Sequence, residues 1–249
     1  MSFSQPTHVW LLQDGEKTAN SGGSKPLPLS IVAVHDVDAD CLRTWSVGPE
    51  TPGGMWLRDL LPQKLPQARV LIFSYGVTSP DGTFEKQAEA LARQLEFLRK
   101  TSPENTPIVM MGHGVGGLII KQVIKTSEPL AYLYDIVNST ELIIFFGTPH
   151  HGMNAKATSK LDRDDALRVF QKQAIAYWYK QKSDSFSDIS SPYTIANYYA
   201  IRSGPGTSGF VRAISYLAMC PIRLKFGSNL SNRSLITTHQ QSLTRTCII

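Results

Sequence analysis

The 249-residue sequence predicts an α/β domain, doubly wound around a mainly parallel sheet. Two observations predict it. Four short segments are almost continuously apolar rather than alternating, as strands buried on both faces are. The intervals between them carry helical periodicity, so that strand and helix alternate with short connections.

The first of these strands is Leu29-Ser30-Ile31-Val32-Ala33-Val34, β-branched and bounded by Pro28 and by the polar stretch from His35. Arg69 to Tyr75, Ile108 to Met111 and Glu141 to Phe146 follow, ending at Gly76, Gly112 and Gly147. Between them, the stretch from Gly54 to Leu61 sets Trp56, Leu57, Leu60 and Leu61 on one side. Phe84, Ala88, Leu91, Leu95 and Leu98 recur at helical steps, with Lys86, Glu89, Arg93 and Glu96 on the outer face. A third helix runs from Val115 to Lys125, and a fourth, about 164–182, carries the stripe Leu167, Phe170, Ala174 and Trp178. Beyond about residue 188 no strand–helix pair is legible. The expected division is an irregular lead-in at 1–28, a folded domain at 29–190 and a basic, weakly ordered tail at 191–249.

Composition narrows the function. The formal net charge is +5, yet residues 200–249 hold six basic residues and no acidic one, leaving 19 basic against 20 acidic in the rest. The basicity belongs to the tail, and a nucleic-acid-binding body, which gathers Lys and Arg on a folded face, is not expected. No apolar run approaches the roughly 20 residues that span a bilayer, and the polar first thirty residues lack a secretory core. An intracellular location, cytoplasmic or cytosol-facing, is therefore expected. Cys41, Cys220 and Cys247 are few, odd in number and without a CxxC pair, so reduced thiols are expected and neither a disulfide framework nor a metal site is. No cofactor is implied.

Chemistry concentrates in Met111-Gly112-His113-Gly114-Val115-Gly116-Gly117-Leu118, which leaves a strand and opens a helix. Glycine-rich turns in this position also cradle phosphates. Here no Lys-Ser/Thr pair stands at P-loop spacing, and no acidic residue ends the next strand to meet a ribose. The alternative is the elbow G-x-S-x-G, a tight strand-to-helix turn that lifts a serine above the sheet edge, its central residue strained near φ > 0. The backbone device is present here; the hydroxyl is not, because Gly114 stands in the serine's place.

The neighbouring motifs supply a resemblance. Val32-Ala33-Val34-His35-Asp36, Thr44-Trp45, Trp56-Leu57, Ser74-Tyr75 and Phe145-Phe146-Gly147-Thr148-Pro149-His150-His151-Gly152 stand in order around Gly112 to Gly117. Over about residues 28–155 the chain resembles lipase- and esterase-like α/β-hydrolases of the "serine active site-containing" type, found also as N-terminal domains of fungal signalling proteins with NTPase or repeat modules. The resemblance implies an α/β-hydrolase fold, here truncated, with Gly114 at the vestigial nucleophile position. It implies one oxyanion donor at the Val115 N–H and another from the loop near His35, Asp36 and Val37. Relatives carry glycine where this chain has Asp36, whose carboxylate either crowds the oxyanion position or points to solvent.

A triad acid and histidine should follow the nucleophile in that order. Asp184, Asp188 and His239 are the residues that could serve, all in stretches without strand signal, while His150 and His151 stand by position at the mouth of the site. A hydrogen-bonded turn residue is the plainer expectation for both of these histidines. Loss of a triad serine costs about 10⁶ in turnover in well-studied cases. The expected function is a non-catalytic binding or signalling module, its partner a lipid or acyl ester or another protein. The alternatives are a carboxylic-ester or lipid hydrolase using an unrecognised residue, and an enzyme intact but for position 114. Association with mitochondrial or endoplasmic-reticulum membranes follows from the resemblance alone.

Overall fold

The computed structural model describes residues 7–15, 28–36, 39–46, 54–75, 80–102, 106–127, 133–150, 186, 190, 192–199 and 245–248. Among the described residues, seven strands form one sheet in the order β1-β3-β2-β4-β5-β6-β7. These are β1 (His8–Asp14), β2 (Leu29–Val34), β3 (Ala68–Ser74), β4 (Ile108–His113), β5 (Thr140–Phe146), β6 (Thr194–Tyr199) and β7 (Arg245–Ile248). Among these described strands only the edge pair of β1 with β3 is antiparallel; the other neighbouring pairs are parallel. The helices are α1 (Trp56–Asp59), α2 (Leu61–Lys64), α3 (Pro80–Arg99), α4 (Gly116–Ser127) and α5 (Tyr134–Ser139), with a 3-10 turn at Arg43–Trp45.

Alternation along each central strand splits the core into two layers. Val32, Val34, Leu71, Phe73, Met110, Ile143 and Phe145 face one way, onto Leu91 and Leu95 of α3, Leu118 and Ile119 of α4 and Ile136 of α5. Ile31, Ala33, Val70, Ile72, Met111, Ile144 and Phe146 face the other way, onto Trp45, Trp56 and Leu57. Trp45 meets Trp56 and Phe146 edge-on, both with centroids 6.1 Å away. The T-W and W-L motifs are thus packing devices beneath the sheet.

The sheet takes in residues from both segments that the sequence reading left outside it. β1 lies in the lead-in. It is an edge strand, largely exposed and broken by an irregularity between Leu11 and Gln13, so it lacks the apolar continuity of a buried strand. β6 and β7 lie in the tail, and β6 carries Asn197 at its middle, a residue depleted in strands. The sheet therefore does not end at residue 190. The helix expected at 164–182 and residues 200–244 lie outside the described residues. No helix among the described residues is long and apolar enough to cross a membrane.

Candidate active site

The strand order fixes where a site can form. From β2 the chain moves to one side to make β3, then returns to β2's other side to make β4. Such a reversal opens a crevice outside the carboxyl ends of the two strands, where ligands settle in open α/β sheets. Val34 of β2 pairs with Gly112 of β4, so His35-Asp36 and His113-Gly114 leave the sheet side by side.

Gly114 makes the turn between β4 and α4 with φ +52°, a left-handed conformation that L side chains rarely adopt. Its N–H donates to the Phe146 carbonyl at 2.9 Å, and its carbonyl accepts from the Gly117 N–H at 3.2 Å. Two nearby glycines permit close approach instead. A Cβ on Gly112 would come within 2.4 Å of the Gly117 Cα. A Cβ on Gly116 would come within 2.2 Å of the His35 carbonyl oxygen. α4 thus starts pressed against the end of β2.

His35 is buried and committed to structure. Its Nδ1–H donates to the Asp36 carbonyl at 2.7 Å, and its Nε2 accepts from the Tyr75 N–H at 3.2 Å. The Tyr75 hydroxyl donates to the His35 carbonyl at 3.0 Å, and the two rings stack at 4.3 Å. Burial lowers the pKa of His35, with the Asp36 hydrogen bond and the charges of Asp36 and Asp40 opposing, and the neutral ring is the form this network needs. His35 therefore ties the end of β2 to the end of β3.

Asp36 turns inward rather than to solvent. Its Oδ1 accepts from the Val115 N–H at 2.8 Å, the donor that the resemblance assigns to an oxyanion. His113 Nδ1 stands 3.9 Å from Oδ2, and both side chains are about 30% exposed (29% and 32%). Burial lowers the His113 pKa, with the charge of Asp36 acting against it, so the ring in this long contact is neutral at neutral pH.

His150 follows β5, its ring edge-on to Phe145 at 5.0 Å. Its Nε2–H donates to Asn197 Oδ1 of β6 at 2.9 Å, which leaves Nδ1 as its proton-accepting nitrogen. Its partner Asn197 was not foreseen, because no apolar or motif signal marks β6. Tyr75 stood in a recognised motif, but its spacing from His35 gave no sign of the bracket. Val37, His151, Asp184, Asp188 and His239 lie outside the described residues. Cys41 is buried, and burial pushes its thiol pKa up, the opposite of what a nucleophilic cysteine needs. Among the described residues no three His, Cys, Asp or Glu gather where they could hold a metal ion.

No protein-family model matches the chain. Among curated proteins it is similar to Protein SERAC1, 24% identical over 148 residues to that of Bos taurus and 25% identical over 150 residues to that of Danio rerio. These stretches take in 52% of this chain and 23% of each relative, so the chain spans about a quarter of the length of the curated proteins it matches. Among solved structures, the mature lipase BlEst2 of Bacillus licheniformis superposes with a TM-score of 0.54 at 15% identity, covering 86% of this chain and 80% of that one. With the strand order, the parallel pairing and the turn at Gly114, that superposition establishes that the chain has the α/β-hydrolase fold.

Proposed function

We propose that this chain is a lipase- and esterase-like α/β-hydrolase domain that has lost serine-hydrolase chemistry and serves as a binding or signalling module for a lipid or acyl ester or a protein partner. The observation that carries the reading is Gly114, a residue without a side chain at the point of the strand-to-helix turn where a nucleophile would stand. A serine hydrolase needs a hydroxyl there, a base beside it and N–H donors above the sheet edge. Position 114 offers no hydroxyl, and the Val115 N–H is engaged by Asp36. His150 has its Nε2 proton engaged by Asn197.

The test is a fluorophosphonate probe, which reacts with a serine activated at such an elbow, together with turnover of a short-chain ester. The wild-type protein remains unlabelled and turns over no ester. Gly114→Ser alone gains little labelling, because a serine near its free pKa is a weak nucleophile without an adjacent base. Labelling of the wild type overturns the proposal in favour of a hydrolase with another nucleophile. Strong labelling of Gly114→Ser alone shows a competent site lacking only its serine.

A further inference from the structure

We infer that Asp36 is the built-in occupant of the elbow: its carboxylate fills the space a side chain at position 114 would need and takes the hydrogen bond a substrate oxygen would receive. Asp36 and Gly114 are then a matched pair, and Asp36 closes the cradle to carbonyl and phosphoryl oxygens. This deepens the reading above and rests on it for the missing hydroxyl, but its test reads folding stability and not turnover.

Two separate measures of the geometry carry the inference. An ideal Cβ built on Gly114 falls 2.2 Å from Asp36 Cγ, 2.2 Å from Oδ2 and 2.3 Å from Oδ1. Ordinary contact between such atoms lies near 3.5 Å, so the whole carboxylate, and not one edge of it, coincides with the volume next to Gly114. The second measure is the hydrogen bond from the Val115 N–H to Oδ1 at 2.8 Å, which spans 79 positions of sequence and ties the end of β2 to the start of α4. The positive end of α4 favours a carboxylate at this point.

Relief has to come from the Asp36 side chain and not from its backbone. The backbone of Asp36 is anchored on its carbonyl, which accepts from His35 Nδ1 at 2.7 Å and from the Ala39 N–H at 3.3 Å. Clearing space for a side chain at 114 therefore requires the Asp36 side chain to rotate, which gives up the bond to Val115. A substrate carbonyl approaching the Val115 N–H meets the same obstacle and a carboxylate oxygen facing its own.

A double-mutant cycle tests the pairing on the full chain. Wild type, Gly114→Ala, Asp36→Gly and the double variant are compared by thermal unfolding. Alanine at 114 carries the left-handed strain of φ +52° in both backgrounds, so the cycle cancels that cost and leaves only the meeting with Asp36. With Asp36 present, Gly114→Ala lowers the unfolding midpoint by roughly 8 °C or more. With Asp36→Gly the same change lowers it by about half as much, the part due to backbone strain. Asp36→Asn keeps the size of the side chain without its charge, and in that background the larger loss persists. Should Asp36→Gly loosen the loop too far to fold, Asp36→Ala opens the same space.

Equal losses from Gly114→Ala in the wild-type, Asp36→Asn and Asp36→Gly (or Asp36→Ala) backgrounds overturn the inference, since Asp36 would then not occupy the slot. Labelling of the wild type by a fluorophosphonate would overturn the proposed loss of chemistry and leave the cycle's result standing. The two failures are therefore distinguishable.

Discussion

Replacing Gly116 with alanine sets two physical effects of opposite sign against each other. Gly116 opens α4 without a left-handed φ, and alanine is favoured over glycine in a helix by up to about 1 kcal/mol. Helix propensity alone therefore predicts a more stable protein. Crowding predicts the reverse. The new Cβ would stand 2.2 Å from the His35 carbonyl oxygen, 2.4 Å from the Val34 carbonyl oxygen and 2.8 Å from the Val34 carbonyl carbon. All three are backbone atoms at the end of a central strand, so relief requires α4 and β2 to move apart by about 1 Å. Overpacking of this kind costs about 3 kcal/mol. The net loss is about 2 kcal/mol or more, a fall of roughly 4–8 °C in the midpoint for a chain of this size. Gly147→Ala is the companion measurement, because there φ is +58° but no described atom lies within 4 Å of the new Cβ. It isolates backbone strain, about 1 kcal/mol. Thermal and denaturant unfolding of both variants read the outcome. A Gly116→Ala protein as stable as the wild type would refute the close approach of α4 to β2, and with it the placement of His35 and Asp36 beside the elbow.

Other consequences of the same geometry are open to direct measurement. Tyr75→Phe keeps the ring that stacks on His35 but removes the hydroxyl that donates to its carbonyl, and lowers stability by about 1 kcal/mol in denaturant unfolding. An unchanged denaturation midpoint would show that this bond contributes nothing. His35 and His113 both have pKa values lowered by burial, so the folded protein takes up their protons less readily than the unfolded chain. Their contribution is complete above the unfolded value of about 6.5 and declines as pH falls through the lower folded-state values, at up to about 1.4 kcal/mol per pH unit for each ring. His35→Gln flattens this acid limb, and an identical pH profile would remove His35 as its source. Arg99 joins α3 to α5 through Asp135 and Ser139 and donates to the Thr106 carbonyl. Its side chain is 9% exposed, so Arg99→Ala costs about 2 kcal/mol by leaving these acceptors without their cation. A loss below about half a kcal/mol would place the junction in solvent.

How much of this was legible depended on where each residue sits. The four central strands announced themselves because burial on both faces admits only apolar side chains, and β2, β3, β4 and β5 lie within a residue or two of the expected limits. β1 escaped because an edge strand needs no apolar face on its exposed side, and β6 because Asn197 serves a hydrogen bond to His150 in place of strand propensity. The turn at Gly114 was legible from the spacing of its flanking glycines, since a Cβ on Gly112 or Gly116 would run into the backbone of the facing element. The direction of Asp36 was not. Sequence placed it next to the site, but solvent and the Val115 N–H were equally available partners until the register of β2 with β4 set the two turns side by side. The use of His35 was hidden for the same reason, because its partner Tyr75 is 40 positions away.

Gly114 and the glycines around it answer to different physical constraints. A side chain held at φ near +50° costs about 1–2 kcal/mol, which an enzyme tolerates because the strain aims the nucleophile. Glycine at this point carries the same dihedral without that strain. The surrounding glycines stay under constraint for a different reason. Gly116 and Gly117 set the distance between α4 and the strands, Gly116 against the carbonyls of Val34 and His35 and Gly117 against Thr148 and Phe145. Packing against neighbouring elements thus constrains Gly116 and Gly117, while position 114 is constrained by its dihedral and by the Asp36 carboxylate. The space beside Gly114 is filled, because an N–H at the start of a helix favours an acceptor. Asp36, one residue beyond the bracketed His35, lies within reach to supply it. A serine introduced at 114 therefore meets the Asp36 carboxylate in the space that its own side chain needs.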